Sequence, residues 1–253
     1  MNFFLIAGTN KGKRDMLIQL SGRIWYNEGE QETDHPYLYY ICGDEKSAVI
    51  DAGNSERHVK SFYQALEEKG FPLPEITVLT HWHWDHTFGM AYVHGKTIAS
   101  EPTDQKLREV MRWEWTPEKM REREKSGEDI AFCNECIRKE YPDLSKIKVV
   151  PAGKNVSVPE EIPLGGVTLR LIPGDSPHSR DALYILIPEE RALAVGDAFC
   201  GDYYDGGGAC DPEKIRAMLT LWGELPFDTV LPGHSPPCPR EELVQWLIEE
   251  TDT

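Results

Sequence analysis

His81-Trp82-His83-Trp84-Asp85-His86 places three of the chain's eight histidines and one carboxylate within six residues. Neutral imidazole and carboxylate are the nitrogen and oxygen donors that Zn²⁺ and its first-row neighbours accept. Crowded this closely, they are costly to bury without a cation among them. Left in water they would be only a His-rich polar loop. The residues just before them favour the first reading. Ile76-Thr77-Val78-Leu79-Thr80 is β-branched and apolar, and reads as a buried strand. The motif therefore starts where a strand ends, at the rim where α/β sheets bind ligands.

A His-x-His-x-Asp-His run after an apolar strand resembles the signature of the metallo-β-lactamase-fold hydrolases. The resemblance extends, in order, to Asp51, His178, Asp197 and His234, and spans roughly residues 20–250. It implies an α/β fold, a four-layer αββα sandwich, holding two divalent metal ions at its strand ends. By that resemblance His81 and His83 hold one ion, and Asp85 with His86 the other. Asp197, after the strand Leu193–Gly196, bridges them, and His234 in Leu231-Pro232-Gly233-His234-Ser235 completes the second ion's ligands. The chemistry agrees: imidazoles begin a tetrahedral site, and one aspartate can give an oxygen to each of two ions. An Asp or His at a strand end is common alone; the ordered set is specific.

One position departs from the family's pattern. The family's third histidine on the first metal directly follows a Pro-Gly pair. Here Pro173-Gly174 is followed by Asp175, and the histidine stands three residues later in Ser176-Pro177-His178-Ser179, similar to one branch of the superfamily. His178 is the expected ligand and Asp175 the alternative. With Asp175 the first metal would be harder, favouring Fe or Mn over Zn. Asp51 closes the strand Ser47–Ile50 ahead of Ala52-Gly53. It can accept the second ring N–H of a ligand histidine, the role the resemblance supports, or cap the following helix.

A water shared by two dications loses a proton near neutral pH and supplies hydroxide, while the metals polarise the scissile carbonyl or phosphoryl oxygen. Asp85 is the expected catalytic carboxylate, orienting that nucleophile and taking its proton. Tyr203 or Tyr204, ahead of Gly206-Gly207-Gly208, could donate to the developing oxyanion; ordinary packing is the simpler reading of both.

The elements that must position these groups alternate. Residues 17–27, 37–42 and 47–50 read as strands, and 55–69 as an amphipathic helix with Val59, Phe62, Tyr63 and Leu66 on one face and Gly70 as its stop. After the motif, Thr97-Ile98-Ala99 suggests a short strand, and His94 is structural. Residues 102–145 change character, dense in Glu, Lys and Arg with Trp113, Trp115, Met120, Phe132 and Ile137 embedded. They predict two or three helices broken near Pro117 and Gly127, inserted mid-chain. The insertion is either a lid or wall over the site, or an appendage with its own ordinary core. Strands return at Ile147–Val150, Val156–Val158 and Val167–Ile172. Ala182–Ile187 and Ala192–Val195 form a hairpin around Pro188-Glu189-Glu190. Asp211-Pro212-Glu213 starts a helix, Thr229–Leu231 is the last strand, and Leu243, Trp246 and Leu247 mark a final helix. The two halves predict one pseudo-duplicated domain over residues 1–253.

Composition bounds the partners. A formal net charge of −16 gives no basic footprint for nucleic acid, so the expected partner is a small-molecule substrate. No apolar run approaches the ~20 residues of a membrane span. Phe3-Phe4-Leu5-Ile6-Ala7 is too short for a signal core and reads as a first strand or packed arm of a cytoplasmic protein. Association as a homodimer stays open. The six cysteines are scattered. Cys133-x-x-Cys136 could be half a zinc site or a redox pair, but i, i+3 spacing also sets two small apolar side chains on one helix face, the simpler reading.

The family resemblance implies a metal-dependent hydrolase cleaving an ester, lactone, thioester or amide, with zinc as the expected metal and Fe or Mn as alternatives. A lactonase or carboxylesterase fits best. A glyoxalase II-type thioesterase carries a helical C-terminal extension, whereas the extra helices here lie mid-chain. A secreted β-lactamase lacks its signal peptide here, and charge disfavours a phosphodiesterase or nuclease. Two other classes stand beside these: an iron-dependent oxidoreductase, dioxygenase or diiron, on the same fold, and a binding protein on an inactive scaffold.

Overall fold

Alternation within the strands sets the layers. In the strand Leu38–Cys42, Tyr39 and Ile41 face one core while Leu38 and Tyr40 face another; in Leu183–Ile187, Leu183, Ile185 and Ile187 share that first core while Tyr184 and Leu186 face a third. A pleated strand sends neighbouring side chains to opposite faces, so two sheets must lie back to back with helices outside. A computed structural model shows this arrangement and describes residues 16–204 and 207–251. Phe3–Ala7 and Gly206 lie outside the described residues.

The first sheet runs, in spatial order, β1 (Ile18–Gln19), β2 (Ile24–Asn27), β3 (Leu38–Cys42), β4 (Ser47–Ile50), β5 (Ile76–Val78), β6 (Lys96–Ser100) and β7 (Lys154–Val156). Pairing is antiparallel from β1 to β4 and parallel from β4 to β7. The second sheet is ordered β13 (Cys238–Pro239), β12 (Thr229–Pro232), β11 (Ala192–Gly196), β10 (Leu183–Ile187), β9 (Thr168–Pro173) and β8 (Glu160–Pro163). Its β11–β12 pair is parallel. Between the sheets lies a core of Ile24, Tyr39, Ile50, Val78, Leu171, Ile185 and Leu231, among others.

Helices cover both outer faces, completing the four-layer αββα sandwich. On the first sheet lies α1 (Glu56–Glu68), whose Phe62, Ala65 and Leu66 meet Leu38, Tyr40 and Val49. Ser55 caps it by accepting from His58 N, and Gly70, at φ 75°, takes the left-handed conformation past its end. The cap is therefore not Asp51. On the second sheet, α6 (Pro212–Gly223) and α7 (Arg240–Thr251) bury Ile215, Met218, Trp222, Leu243 and Leu247. Asp211 caps α6 ahead of Pro212. No helix among the described residues is long and apolar enough to cross a membrane.

Between β5 and β6 sits the short α2 (Trp84–Thr87). The insertion between β6 and β7 forms α3 (Glu101–Val110), α4 (Pro117–Ser126) and α5 (Ala131–Glu140), the breaks falling near Pro117 and Gly127 as expected. Its Leu107, Met120, Cys133, Cys136 and Ile137 pack into one cluster with Leu79, Trp84 and Phe88 beneath the histidine motif. Cys133 and Cys136 are both buried there as free thiols.

Two strand expectations change. Ile147–Val150 forms no strand; Val149 is buried in the insertion's cluster, and an apolar β-branched run looks the same whether it packs on helices or in a sheet. β6 pairs instead with Lys154–Val156, guided there by Asp104 Oδ1 accepting from Ala152 N (2.8 Å) and Thr97 Oγ1 from Gly153 N (2.8 Å). The strand expected over Val156–Val158 therefore ends at Val156, and Val158 is exposed.

Candidate metal centre

The loops leaving the parallel strands converge at one edge of the sandwich. Asp51 leaves β4, residues 81–86 follow β5, Asp197 follows β11, and His234 follows β12. His178 comes from the β9–β10 loop. The β11–β12 register shifts between Ala194 and Gly196, and Gly196 is left-handed at φ 51° with Thr80 so close that a Cβ would collide with it. Such an irregularity at a strand end re-aims the next side chain, here Asp197. Gly233 likewise lies so close to Asp197 and His86 that a Cβ would sit 2.2 Å from Asp197 Oδ1. Only glycine there lets the His234 loop approach.

The His81–His86 loop is locked from within. Thr87 Oγ1 donates to the carbonyls of Trp82 (3.0 Å) and His83 (2.9 Å). Trp84 is buried in the insertion's cluster, while His81, His83, Asp85 and His86 are buried beside the other candidate ligands.

Seven candidate ligands fall into two groups, His81, His83 and His178, then Asp85, His86, Asp197 and His234; within each, one nitrogen or oxygen per residue lies within 4.8 Å of the others. In the first, His83 Nδ1 is 2.9 Å from His178 Nε2. In the second, Asp85 Oδ2 is 2.9 Å from both His86 Nε2 and His234 Nε2. Asp197 Oδ2 joins the groups: it lies 3.4 Å from His86 Nε2 and His234 Nε2, and 3.8 Å from His178 Nε2. Asp175, the alternative ligand, lies outside both groups, half-exposed and paired with Lys214 at 3.1 Å.

Hydrogen bonds on the far side of three of the five rings decide which of their nitrogens faces inward. Asp51 Oδ2 accepts from His86 Nδ1 at 2.8 Å, and Gly201 O from His178 Nδ1 at 2.9 Å. Thr80 Oγ1 donates to Asp51 Oδ2 (2.9 Å), so its lone pair is left to accept from His81 Nδ1 (3.0 Å). Three rings therefore turn an Nε2 lone pair inward, whereas His83 offers Nδ1. His81 Nε2 is fully buried and makes no hydrogen bond; His86 Nε2, also fully buried, has Asp85 Oδ2 at 2.9 Å but not in hydrogen-bonding alignment. Stranding a buried lone pair is costly unless a cation meets it. The residues present therefore fit divalent metal ions.

Electrostatics agree. Burial, and then the neighbouring imidazoles, push His81 and His83 well below the usual histidine range, keeping them neutral as ligands must be. In the second group burial opposes charge on His234, but Asp197, Asp34 and Asp85 outweigh it and raise its pKa to about 10. Burial also opposes ionisation of Asp197, yet His234 and His86 hold it well below the usual carboxylate range. These carboxylates demand a positive partner, whether a proton or a metal.

The two tyrosines differ in their surroundings. Tyr203 is exposed. Tyr204 sets its ring against His83 (centroids 4.9 Å) and Trp82 (5.2 Å), but its hydroxyl donates to Cys133 Sγ at 3.5 Å. Two polar neighbours escaped the sequence reading. Thr80 passes the Asp51 contact to His81, and Asp34 Oδ1 stands 3.7 Å from His234 Nδ1. A Thr at a strand end and an Asp in an acidic turn carry no signal of their own.

Comparison with known proteins names the family. The profile of the metallo-beta-lactamase superfamily matches residues 33–234, and the chain belongs to that superfamily. It is 26% identical over 212 residues to the thioesterase pkgB of Emericella nidulans, covering 83% of this chain and 48% of that one. The chain thus spans about half the length of that relative. It is 23% identical over 233 residues to the acyl-coenzyme A thioesterase MBLAC2 of Gallus gallus, covering 85% and 78%. Among solved structures, a metallo-beta-lactamase from Pontibacter korlensis has the same fold, with a TM-score of 0.62 at 16% identity over 92% of this chain and 99% of that one.

Proposed function

We propose that this chain is a metal-dependent hydrolase that uses two divalent ions, zinc in the first instance, to cleave a small acyl thioester. One observation carries the reading: seven buried or half-buried donors form two groups, and Asp197 Oδ2 lies between them. The names of the two thioesterase relatives support thioester over the lactone or carboxylic ester favoured by the sequence alone.

His81, His83 and His178 would hold one ion, Asp85, His86 and His234 the other, with Asp197 shared. When bound, such ions lower the pKa of water and polarise a carbonyl oxygen. The protein's own groups supply the rest. Asp51 and Thr80 fix the rings of His86 and His81. Asp85, buried between His86 and His234, orients the attacking water and accepts its proton at a carboxylate oxygen. Beside the first group, Trp82 and Tyr204 pack on His83, with Lys106 5.2 Å over the Trp82 ring; the two aromatic rings would border an acyl chain bound there. The net charge of −16 argues for a small-molecule partner rather than nucleic acid.

The test is a panel of acyl-coenzyme A thioesters, aryl esters and lactones run on metal-quantified protein. Thiol release is expected to be fastest, and to be abolished in Asp85→Ala, whose metal content is measured alongside so that loss of the proton acceptor is told from loss of the second ion. Iron with oxygen consumption and no hydrolysis would instead mark an oxidoreductase.

A further inference from the structure

Three non-glycine residues among those described adopt positive φ: Asp34 at 56°, Asp51 at 64° and Arg191 at 48°. Arg191 turns the β10–β11 connection and pairs with Asp228. The other two are aspartates, and each faces the outward nitrogen of a histidine in the second group. Asp51 Oδ2 is 2.8 Å from His86 Nδ1, and Asp34 Oδ1 is 3.7 Å from His234 Nδ1. Left-handed backbone is unfavourable for residues with a Cβ, and asparagine and aspartate tolerate it best. Where it persists, its surroundings over-determine it, and such positions gather at functional sites.

The turn carrying Asp34 is held from several sides. Glu30 and His35 exchange both backbone hydrogen bonds, at 3.0 and 2.7 Å. Asn54 Nδ2 donates to Thr33 O at 2.7 Å. His35 Nε2 meets Glu140 Oε2 at 3.2 Å, tying the turn to the end of the insertion. Just past the turn, Tyr37 N donates to Gly233 O at 2.7 Å, so the chain beside Asp34 is clasped to the residue before His234. His234 Nε2 meanwhile points at Asp85. The ring thus lies between an inward ligand face and an outward carboxylate 3.7 Å away, within ion-pair reach but beyond hydrogen-bond distance.

We propose that Asp34 is a positioning residue for His234, the counterpart of Asp51 for His86. Each histidine of the second group then has an aspartate behind it on left-handed backbone, Asp51 at hydrogen-bond distance from its ring and Asp34 at ion-pair distance from its own. The proposal rests on the reading of Asp85, His86, Asp197 and His234 as a metal-holding group. Carboxylates behind ligand histidines orient the ring and raise its basicity.

Asp34→Gly separates the two roles of this residue, because glycine adopts the left-handed conformation freely. Zinc titration against a competing chelator, resolved into two sites, would be read alongside thermal unfolding of the metal-free protein. Asp34→Gly is expected to weaken one site about 10–100-fold and leave the other unchanged. The metal-free melting temperature should hold or rise, and Asp34→Asn, which keeps an acceptor oxygen, should weaken the site less. If Asp34→Gly instead lowers metal-free stability while both affinities match wild type, Asp34 serves only its turn and the inference fails. If wild type binds no ion that His234→Ala releases, the metal reading of the second group fails with it.

Discussion

Asp51 Oδ2 lies 2.8 Å from His86 Nδ1, and the same carboxylate accepts from Thr80 N at 2.7 Å and Thr80 Oγ1 at 2.9 Å. One buried side chain at the end of β4 therefore fixes rings in both groups: His86 directly, and His81 through Thr80. The first and second ions of the proposed pair are organised from a single point in the first sheet.

Removing that point should be felt twice. Asp51→Ala leaves His86 Nδ1 and the Thr80 donors buried without their acceptor, at a cost of about 1–3 kcal/mol in metal-free stability. Metal affinity should fall by about 10–100-fold at both sites, because both histidines lose their orientation. Chelator competition on folded variant protein reads the second effect; wild-type affinity would mean the rings are held by other contacts.

His178 and Asp175 separate cleanly by substitution. His178→Ala should lose the ion of the first group, since its Nε2 lies 2.9 Å from His83 Nδ1. Asp175→Asn removes only a half-exposed pair with Lys214, costing less than about 1 kcal/mol, and should keep its metal. Metal analysis giving the opposite order would restore Asp175 as the ligand.

Tyr204→Phe asks whether the tyrosine touches the reaction. Its hydroxyl donates to Cys133, so hydrolysis should stay within about threefold of wild type, whereas loss of a true oxyanion donor costs about 100-fold or more. A drop of that larger size would show that the hydroxyl swings towards substrate.

Acid should loosen the clasp between the insertion and the Asp34 turn. Burial disfavours ionised Glu140, but hydrogen bonds from His35, Arg57 and Ser55 outweigh it and lower its pKa from 4.5 to about 2. The folded protein then binds fewer protons than the unfolded chain. This contribution is complete above the ordinary pKa of 4.5 and is lost as pH falls towards 2. Its size is at most about 3 kcal/mol. Urea titrations from pH 7 to pH 3 should show Glu140→Gln less stable at neutral pH and with a flatter acid limb. Parallel curves for the two proteins would remove Glu140 as the anchor.

The layers were legible where strands alternate cleanly, as in Val167–Ile172 and the hairpin closing at Pro188-Glu189-Glu190. Glu160–Pro163 and Cys238–Pro239 were not, because a short edge strand rich in Glu and Pro gains its ladder only from its neighbour. The candidate ligands that the structure gathers stand out in the sequence by residue type at strand ends, and His178 by the Ser-Pro-His-Ser pattern it shares with one branch of the superfamily. Asp34 stayed hidden among Glu28, Glu30 and Glu32, since only folding decides which acid in such a turn meets a histidine. Chemistry that depends on one residue type can be read locally; support supplied by any nearby carboxylate cannot.

Metal stoichiometry tests the central claim most directly. Zinc-loaded, desalted protein, assayed by elemental analysis against amino-acid concentration, should carry two ions per chain, falling to one in His178→Ala. Wild-type protein saturating near one ion, or none, would contradict the paired centre on which the proposed hydrolysis depends.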